Sequence, residues 1–362
     1  MPTFRSPSAS SPRPSQPSRL EATLTRNWLR RGLLACALWP LSLLFRALGA
    51  ARRALYRAGA LESTRLPVPV VVVGNIFIGG TGKTPLTIWL VQALRERGMK
   101  PGVISRGHGG KDRLARAVMP DSSARDVGDE PLLIARHGRC PVVVGRDRAA
   151  AGRALLAAHP EVDVLIADDG LQHYALQRDI EIVLFDGRGA GNGWLLPAGP
   201  LREAATRRRD FTVVNTASLS AALRAAVAPA DGPVIQMELA GDFAERLANR
   251  AERMPLALLA GGGRRIAAAA GIGNPGRFFS MLKSKGLGFV ELPLPDHHDF
   301  LDQPFAAVDA ELILITEKDA VKCAQIEHLK DDPRLWVVPV TARIDAALAQ
   351  QIVEKCRGHS TA

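Results

Sequence analysis

The chain is poor in the residues that build nucleic-acid platforms, zinc sites and disulfide frameworks. Of its 362 residues only two are Tyr, five Trp and eleven Phe, and basic and aromatic residues do not interleave as a base-stacking surface requires. No nucleic-acid partner is expected. The four cysteines, Cys36, Cys140, Cys323 and Cys356, lie far apart, with no CxxC pair and no Cys/His spacing suited to zinc. Reduced thiols in a reducing compartment are the plain reading. The apolar run from Gly32 to Leu44 has 13 residues, where a bilayer span needs about 20. No internal repeat is visible.

Lysine is absent from residues 1–66, yet that stretch carries eleven Arg against Glu21 and Glu62, a net +9 of the chain's +11. A basic leader on a nearly neutral body points to one segment contacting an anionic surface. Residues 1–20 are Ser/Pro-rich and are expected to be a disordered tail. Residues 21–66 read as a basic amphipathic helix, with Trp28, Trp39 and Leu side chains between arginines. Three readings compete: a signal peptide, a helix packed on the body, and an interfacial helix with Arg on headgroup phosphates. Against a signal peptide, the apolar run begins only after 31 residues; of the three, the interfacial helix is preferred.

With 47% apolar residues the chain can bury two α/β cores. Residues 67–216 alternate strand and helix patterns. Strands are expected at Val70 to Val73, Gly102 to Ser105, Pro141 to Val144, Val164 to Ala167, Ile182 to Phe185 and Phe211 to Asn215, forming a mostly parallel, doubly wound sheet. Residues 217–262 read as a connector with one strand, Val234 to Leu239. Residues 263–350 read as a smaller α/β unit that ends in a helix from Asp345.

The strongest local signal runs from Val70 to Pro85: a strand, then Gly79-Gly80-Thr81-Gly82-Lys83-Thr84, then a helix. Glycines let backbone amides curl around phosphates, Lys83 adds a point charge, and the Thr84 hydroxyl can ligate Mg²⁺. Phe77 departs from the pattern where a first Gly is usual, and Ile78 stands where a GGxGKT-type ATPase carries Lys. Asp168 and Asp169 follow an apolar strand, where they can hold the metal or serve as turn residues. Asp126-Val-Gly-Asp129-Glu130-Pro131 opens a helix, so its acids can be catalytic or simple caps. Gly271-Ile-Gly273-Asn-Pro-Gly276 matches a nicotinamide fingerprint, a weak signal by itself.

Taken with Ser105-Arg-Gly107, Asp168-Asp-Gly-Leu-Gln-His173, Gly191-Asn-Gly-Trp-Leu-Leu-Pro-Ala-Gly-Pro-Leu-Arg-Glu203, Asp296-His-His298 and Thr316-Glu-Lys-Asp-Ala320, these segments resemble, in order, the tetraacyldisaccharide 4′-kinase family of lipid A biosynthesis. His108 stands where Tyr is usual. The resemblance implies two α/β/α sandwich domains joined by a β-ribbon, the first like a P-loop NTPase, preceded by a membrane-associated helix. It implies ATP with Mg²⁺, and a tetraacyldisaccharide 1-phosphate acceptor, a lipid A precursor phosphorylated on its 4′-hydroxyl to give lipid IVA. By motif, Gly79, Gly80, Thr81, Gly82, Lys83 and Thr84 bind the nucleotide. Thr84, Glu130, Asp168 and Asp169 belong to the metal shell, and Lys83, Arg202, Asp129 and His297 are catalytic. Ser105, Arg106, Gly107, Gln172, His173, Asn192 and His298 are assigned to the acceptor, with either His297 or His298 fitting the histidine role. Asp129 and His297 are expected to meet as the two domains close. A monomer on the cytoplasmic face of the bacterial inner membrane is expected, held peripherally by the anionic surface. The alternative is a P-loop ATPase switch that recruits a protein partner to the membrane.

Overall fold

A computed structural model describes residues 27–107, 114–229, 232–261 and 263–358; the expected tail at 1–20, the start of the leader and His108 lie outside them. Helix α1 (Leu33–Arg57) is one continuous helix of 25 residues despite Pro40. This corrects the reading of a 13-residue run: by length and composition α1 is long enough to cross a membrane. Leu34, Leu41, Leu48 and Leu55 recur every seven residues and are exposed, and Leu33 is 92% exposed. Ala35 and Ser42 are its buried residues. The leader is fastened to one segment of the body: Trp28 Nε1 donates to Pro197 O (3.0 Å), Arg31 Nε to Asn192 O (3.1 Å) and Ser42 Oγ to Leu195 O (2.8 Å), and Arg53 pairs with Glu203 at 3.6 Å.

The first sheet contains β1 (Val70–Asn75), β2 (Pro101–Ser105), β3 (Arg116–Ala117), β4 (Val142–Val144), β5 (Val164–Asp168), β6 (Ile180–Asp186), β7 (Phe211–Asn215) and β8 (Val234–Ala240). The second contains β9 (Phe243–Arg246), β10 (Arg253–Pro255), β11 (Ile266–Ala270), β12 (Val290–Pro293), β13 (Leu312–Thr316) and β14 (Leu335–Val338). The chain then returns through β15 (Thr341–Ile344) to the first sheet, whose order is β15-β8-β7-β6-β1-β5-β2-β4-β3; the second has the order β10-β9-β14-β13-β11-β12. Seven neighbours from β8 to β4 are parallel, and only the edges β3 and β15 run antiparallel. That arrangement explains the continuous valine run of β1, which is buried on both faces.

The expected connector strand is therefore an integral strand of the first sheet, and β8 with β15 forms the two-stranded crossing between the units. The closing helix is also corrected. α2 (Lys83–Glu96) presents Leu90, Val91 and Leu94 to the same core cluster as Leu348, Ile352, Val353 and Cys356 of the C-terminal helix, so that helix packs on the first unit. Short apolar patterns mark a helix face without naming its partner, which is why sequence order misled here. The remaining helices are α3 (Ala124–Val127), α4 (Asp129–Gly138), α5 (Arg148–Ala158), α6 (Ala221–Val227), α7 (Pro275–Ser284), α8 (Glu317–Cys323), α9 (Glu327–Lys330) and the C-terminal α10 (Ala347–Gly358).

Ile352→Ala should cost about 2–4 kcal/mol by opening a cavity beneath α2. Hydrogen exchange should then accelerate in α2 while the amides of β13 keep their protection. Faster exchange in β13 with α2 unchanged would return the helix to the second unit.

Candidate active site

The phosphate loop is braced from inside by a residue that the sequence reading missed. Asn75, fully buried at the end of β1, donates through Nδ2 to Phe77 O (2.8 Å), Gly79 O (3.0 Å) and Thr81 Oγ1 (3.0 Å). Its Oδ1 accepts from Lys83 Nζ at 3.2 Å. Gly79 and Gly82 turn the loop with φ of 96° and 100°, left-handed values that side-chain-bearing residues resist. Phe77, the departure from the glycine pattern, is buried, bridges to Leu201, and lies under the Arg188 guanidinium at 4.2 Å. It anchors the loop to the segment before Arg202, aided by Ile78 N donating to Pro200 O at 3.0 Å. Thr84 follows Lys83 in the first turn of α2, where unpaired helix amides face the loop.

Three acids gather beside this loop. Asp168 is buried at the end of β5, and its carboxylate accepts from Thr87 Oγ1 and Ser105 Oγ, both at 3.2 Å. Burial, followed by the nearby charges of Glu130 and Asp169, pushes its pKa up to about 7. Asp169 sits at a φ of 50°, with Lys83 Nζ 3.4 Å and Arg202 Nη1 3.9 Å from its Oδ1. Burial pushes the Asp169 carboxyl up, but Lys83, Arg202 and Arg148 outweigh it and hold the pKa below its ordinary value. A carboxylate made reluctant to ionise by burial, and further by neighbouring acids, is one that a divalent cation would relieve, and an all-oxygen donor set suits Mg²⁺.

The second unit supplies the opposite wall. Asp129 opens α4, and His297 Nδ1 lies 3.3 Å from its Oδ2, with Lys322 Nζ at 3.7 Å and Lys318 Nζ at 3.9 Å. Burial opposes ionisation of Asp129, but His297, Lys318 and Lys322 together hold its pKa well below the carboxylate range. Asp129 in turn raises the pKa of His297. The pair expected to meet on domain closure is thus already in contact. His297 occupies a left-handed φ of 59°, strain that is tolerated where surrounding structure fixes the residue, here with its N–H on Gly271 O at 3.2 Å. His298 is turned away: its Nδ1 accepts from Phe300 N (3.1 Å), and its Nε2 is 3.3 Å from Asp302. Geometry therefore selects His297 as the histidine facing Asp129.

Lys318 was not singled out by the sequence reading. It reaches Glu130 at 3.1 Å and Asp296 at 3.5 Å, and these acids with Asp129 raise its pKa against the opposing effect of burial. The rest of its motif is structural, with Asp319 accepting from Gly271 N at 2.9 Å and Thr316 Oγ1 at 2.6 Å.

The residues expected to contact the acceptor divide. Ser105 supports Asp168, as described above; Arg106 is exposed and Gly107 adopts a φ of 66°. His173 has its pKa pushed down to about 4 by burial and by Arg148. Gln172 donates to Glu203 Oε1 at 2.9 Å, an internal bond. Asn192 is also used internally: Nδ2 donates to Ala198 O (2.9 Å) and Arg30 O (3.3 Å), and Oδ1 accepts from Trp194 N (3.0 Å). Both of its amide hydrogens are thus committed to backbone carbonyls, tying the leader to the loop that carries Arg202.

Comparison with known proteins identifies the family. The family model for tetraacyldisaccharide-1-P 4′-kinase (LpxK) matches residues 34–357. The tetraacyldisaccharide 4′-kinase of Janthinobacterium sp. (strain Marseille) is 62% identical over 351 residues, 96% of this chain and 99% of that protein. That of Herminiimonas arsenicoxydans is 61% identical over 358 residues, with the same coverage, 96% and 99%. A crystal structure of LpxK from Aquifex aeolicus in complex with ATP superposes with a TM-score of 0.71 at 29% identity, covering 89% of this chain and 99% of that one. With residues 34–357 matched by the family model and relatives above 60% identical over 96% of its length, the chain belongs to the tetraacyldisaccharide-1-P 4′-kinase family.

Proposed function

We propose that the chain transfers the γ-phosphate of ATP to the 4′-hydroxyl of a tetraacyldisaccharide 1-phosphate lipid A precursor. The observation that carries the mechanism is the contact of Asp129 with His297 across the two units, 3.3 Å apart, with Lys318 and Lys322 beside it to favour the ionised carboxylate. Mg²⁺ held by Thr84, Glu130, Asp168 and Asp169 would neutralise charge on the β- and γ-phosphates. Lys83 and Arg202, both within reach of Asp169, supply cations where the transferring phosphoryl group develops charge.

Asp129 orients the sugar hydroxyl and takes its proton. A carboxylate with so low a pKa is a weak base, which suits a loose phosphoryl-transfer transition state in which the proton leaves late. His297 keeps that carboxylate turned toward the acceptor side of the phosphate loop. The switch reading has nothing comparable to explain, since recruiting a protein partner needs no residue to accept a hydroxyl proton.

The peripheral membrane reading rests on α1. Ser42 and Arg53 within it and Arg31 just before it are fastened to residues 192–203, while its leucine face stays open. A helix held this way would rest at the headgroup boundary with its arginines on anionic phosphates.

In an assay following labelled phosphate from ATP to the lipid disaccharide, Lys83→Ala should lose about 10²-fold or more in kcat/KM. Asp129→Asn and His297→Ala should each lower kcat, and the double variant should be little worse than the more damaged single. Transfer unaffected by Lys83→Ala would defeat the kinase reading.

By NMR the His297 ring should titrate above its ordinary value of about 6.5 and fall back in Asp129→Asn. Because its folded pKa is the higher one, its contribution to stability is complete below the unfolded value and disappears as pH rises through the folded one. A midpoint indifferent to Asp129→Asn would separate the pair. The chain should also sediment with anionic vesicles in a salt-sensitive way, and Leu41→Glu with Leu48→Glu should abolish this. Labels at the two ends of α1 protected on opposite faces would show a span.

A further inference from the structure

The Gly271-to-Gly276 motif, read from sequence as a fingerprint decoy, does something specific in the fold. It joins β11 to α7 and lies against the phosphate loop of the other unit. A side-chain carbon built on Gly273 would fall 2.6 Å from Gly80 N, so only glycine permits this approach. Pro275 begins α7, and two residues on, Arg277 projects to the same loop. Its Nη1 donates to Thr81 O at 3.1 Å, and its Nη2 bonds Asp186.

Asp186 is 1% exposed at the end of β6 and is also gripped by Arg188, through Nε at 3.0 Å and Nη2 at 2.7 Å. Arg188 covers Phe77, the anchor of the same loop. Two guanidinium groups therefore share one buried carboxylate beside the glycines. The Thr81 carbonyl also accepts from Asn215 Nδ2 at 2.9 Å, so it carries two donors, one of them charged. In a planar trans peptide the N–H points away from the C=O, so these donors set the direction of the Gly82 N–H, one of the loop amides. They also polarise that peptide, strengthening its N–H as a donor to an anion.

We infer that Arg277 is a positioning residue for nucleotide binding: acting through the Thr81 carbonyl, it makes the phosphate loop's affinity for ATP depend on the seating of the second unit. Coupling of this kind is reciprocal, so nucleotide must in turn tighten that seating. The inference rests on the kinase reading above and adds a residue that acts on the loop through the Thr81 carbonyl.

The test uses Mg·ATP without acceptor on the full chain. Arg277→Lys keeps the charge but cannot bridge Thr81 and Asp186 as a fork does, and Gly273→Ala forces the two loops apart by a different route. Calorimetry should show each variant binding Mg·ATP roughly tenfold more weakly, as loss of a charge-assisted hydrogen bond implies. KM for ATP should rise more than kcat at saturating ATP falls. In the parent, Mg·ATP should slow hydrogen exchange in α7, and in both variants that ATP-dependent protection should shrink. Variants that bind within twofold of the parent, even with a lowered melting temperature, would reduce Arg277 to a structural tie and overturn the inference. A parent that fails to bind Mg·ATP would instead defeat the kinase reading, and this inference with it.

Discussion

Carboxylate crowding is the constraint to which the site's other groups answer. Burial first, and then the charges of Glu130 and Asp169, push the pKa of Asp168 up to about 7. Two unit charges about 4 Å apart interact by roughly 4 kcal/mol at the effective dielectric of a protein, far more than the ~0–1 kcal/mol of an exposed ion pair. Cations reach these acids from separate parts of the chain: Lys83 from α2, Arg202 from the loop after β6, and Lys318 from α8 of the second unit.

That demand also explains how two units become one site. Asp129 is carried by the first, whereas His297, Lys318 and Lys322 are carried by the second, so the low pKa of Asp129 is a property of the pair of units. Arg277 on Asp186 and Gly273 against Gly80 bring the same two bodies together at the phosphate loop. Acid, histidine and loop are thus held by one interface. A displacement of the second unit would disturb the Asp129 carboxylate and the phosphate-loop amides together.

Much of this was legible in the sequence where a function needs a fixed local pattern. The valine run of β1, the glycines, Lys83 and the acids after β5 lie where spacing places them, because strand, turn and helix start are local matters. The resemblance added Asp129 and His297, which no spacing rule connects. Illegible were the groups whose roles depend on a distant partner. Asn75 reads as the end of a strand until its amide is seen bracing Phe77, Gly79 and Thr81. Phe77 reads as a blemish until its ring is found under Arg188. α10 follows the second unit in sequence yet fills the core of the first, a choice made by packing volume rather than pattern.

The segment from Asn192 to Glu203 joins the leader helix to the chemistry. At its start, Asn192 and Leu195 hold Arg31 and Ser42, and at its end Glu203 holds Arg53. Between them Pro200 accepts from Ile78 of the phosphate loop, and Arg202 approaches Asp169. Ala198, Gly199 and Pro200 are buried, so the segment is a packed part of the body. An acceptor with acyl chains must keep its tails in an apolar phase while its sugar meets ATP in water. The helix with the open leucine face and Arg202, beside Asp169, are thus both held by this one packed segment, so a shift of the leader would be felt at the phosphate-loop acids.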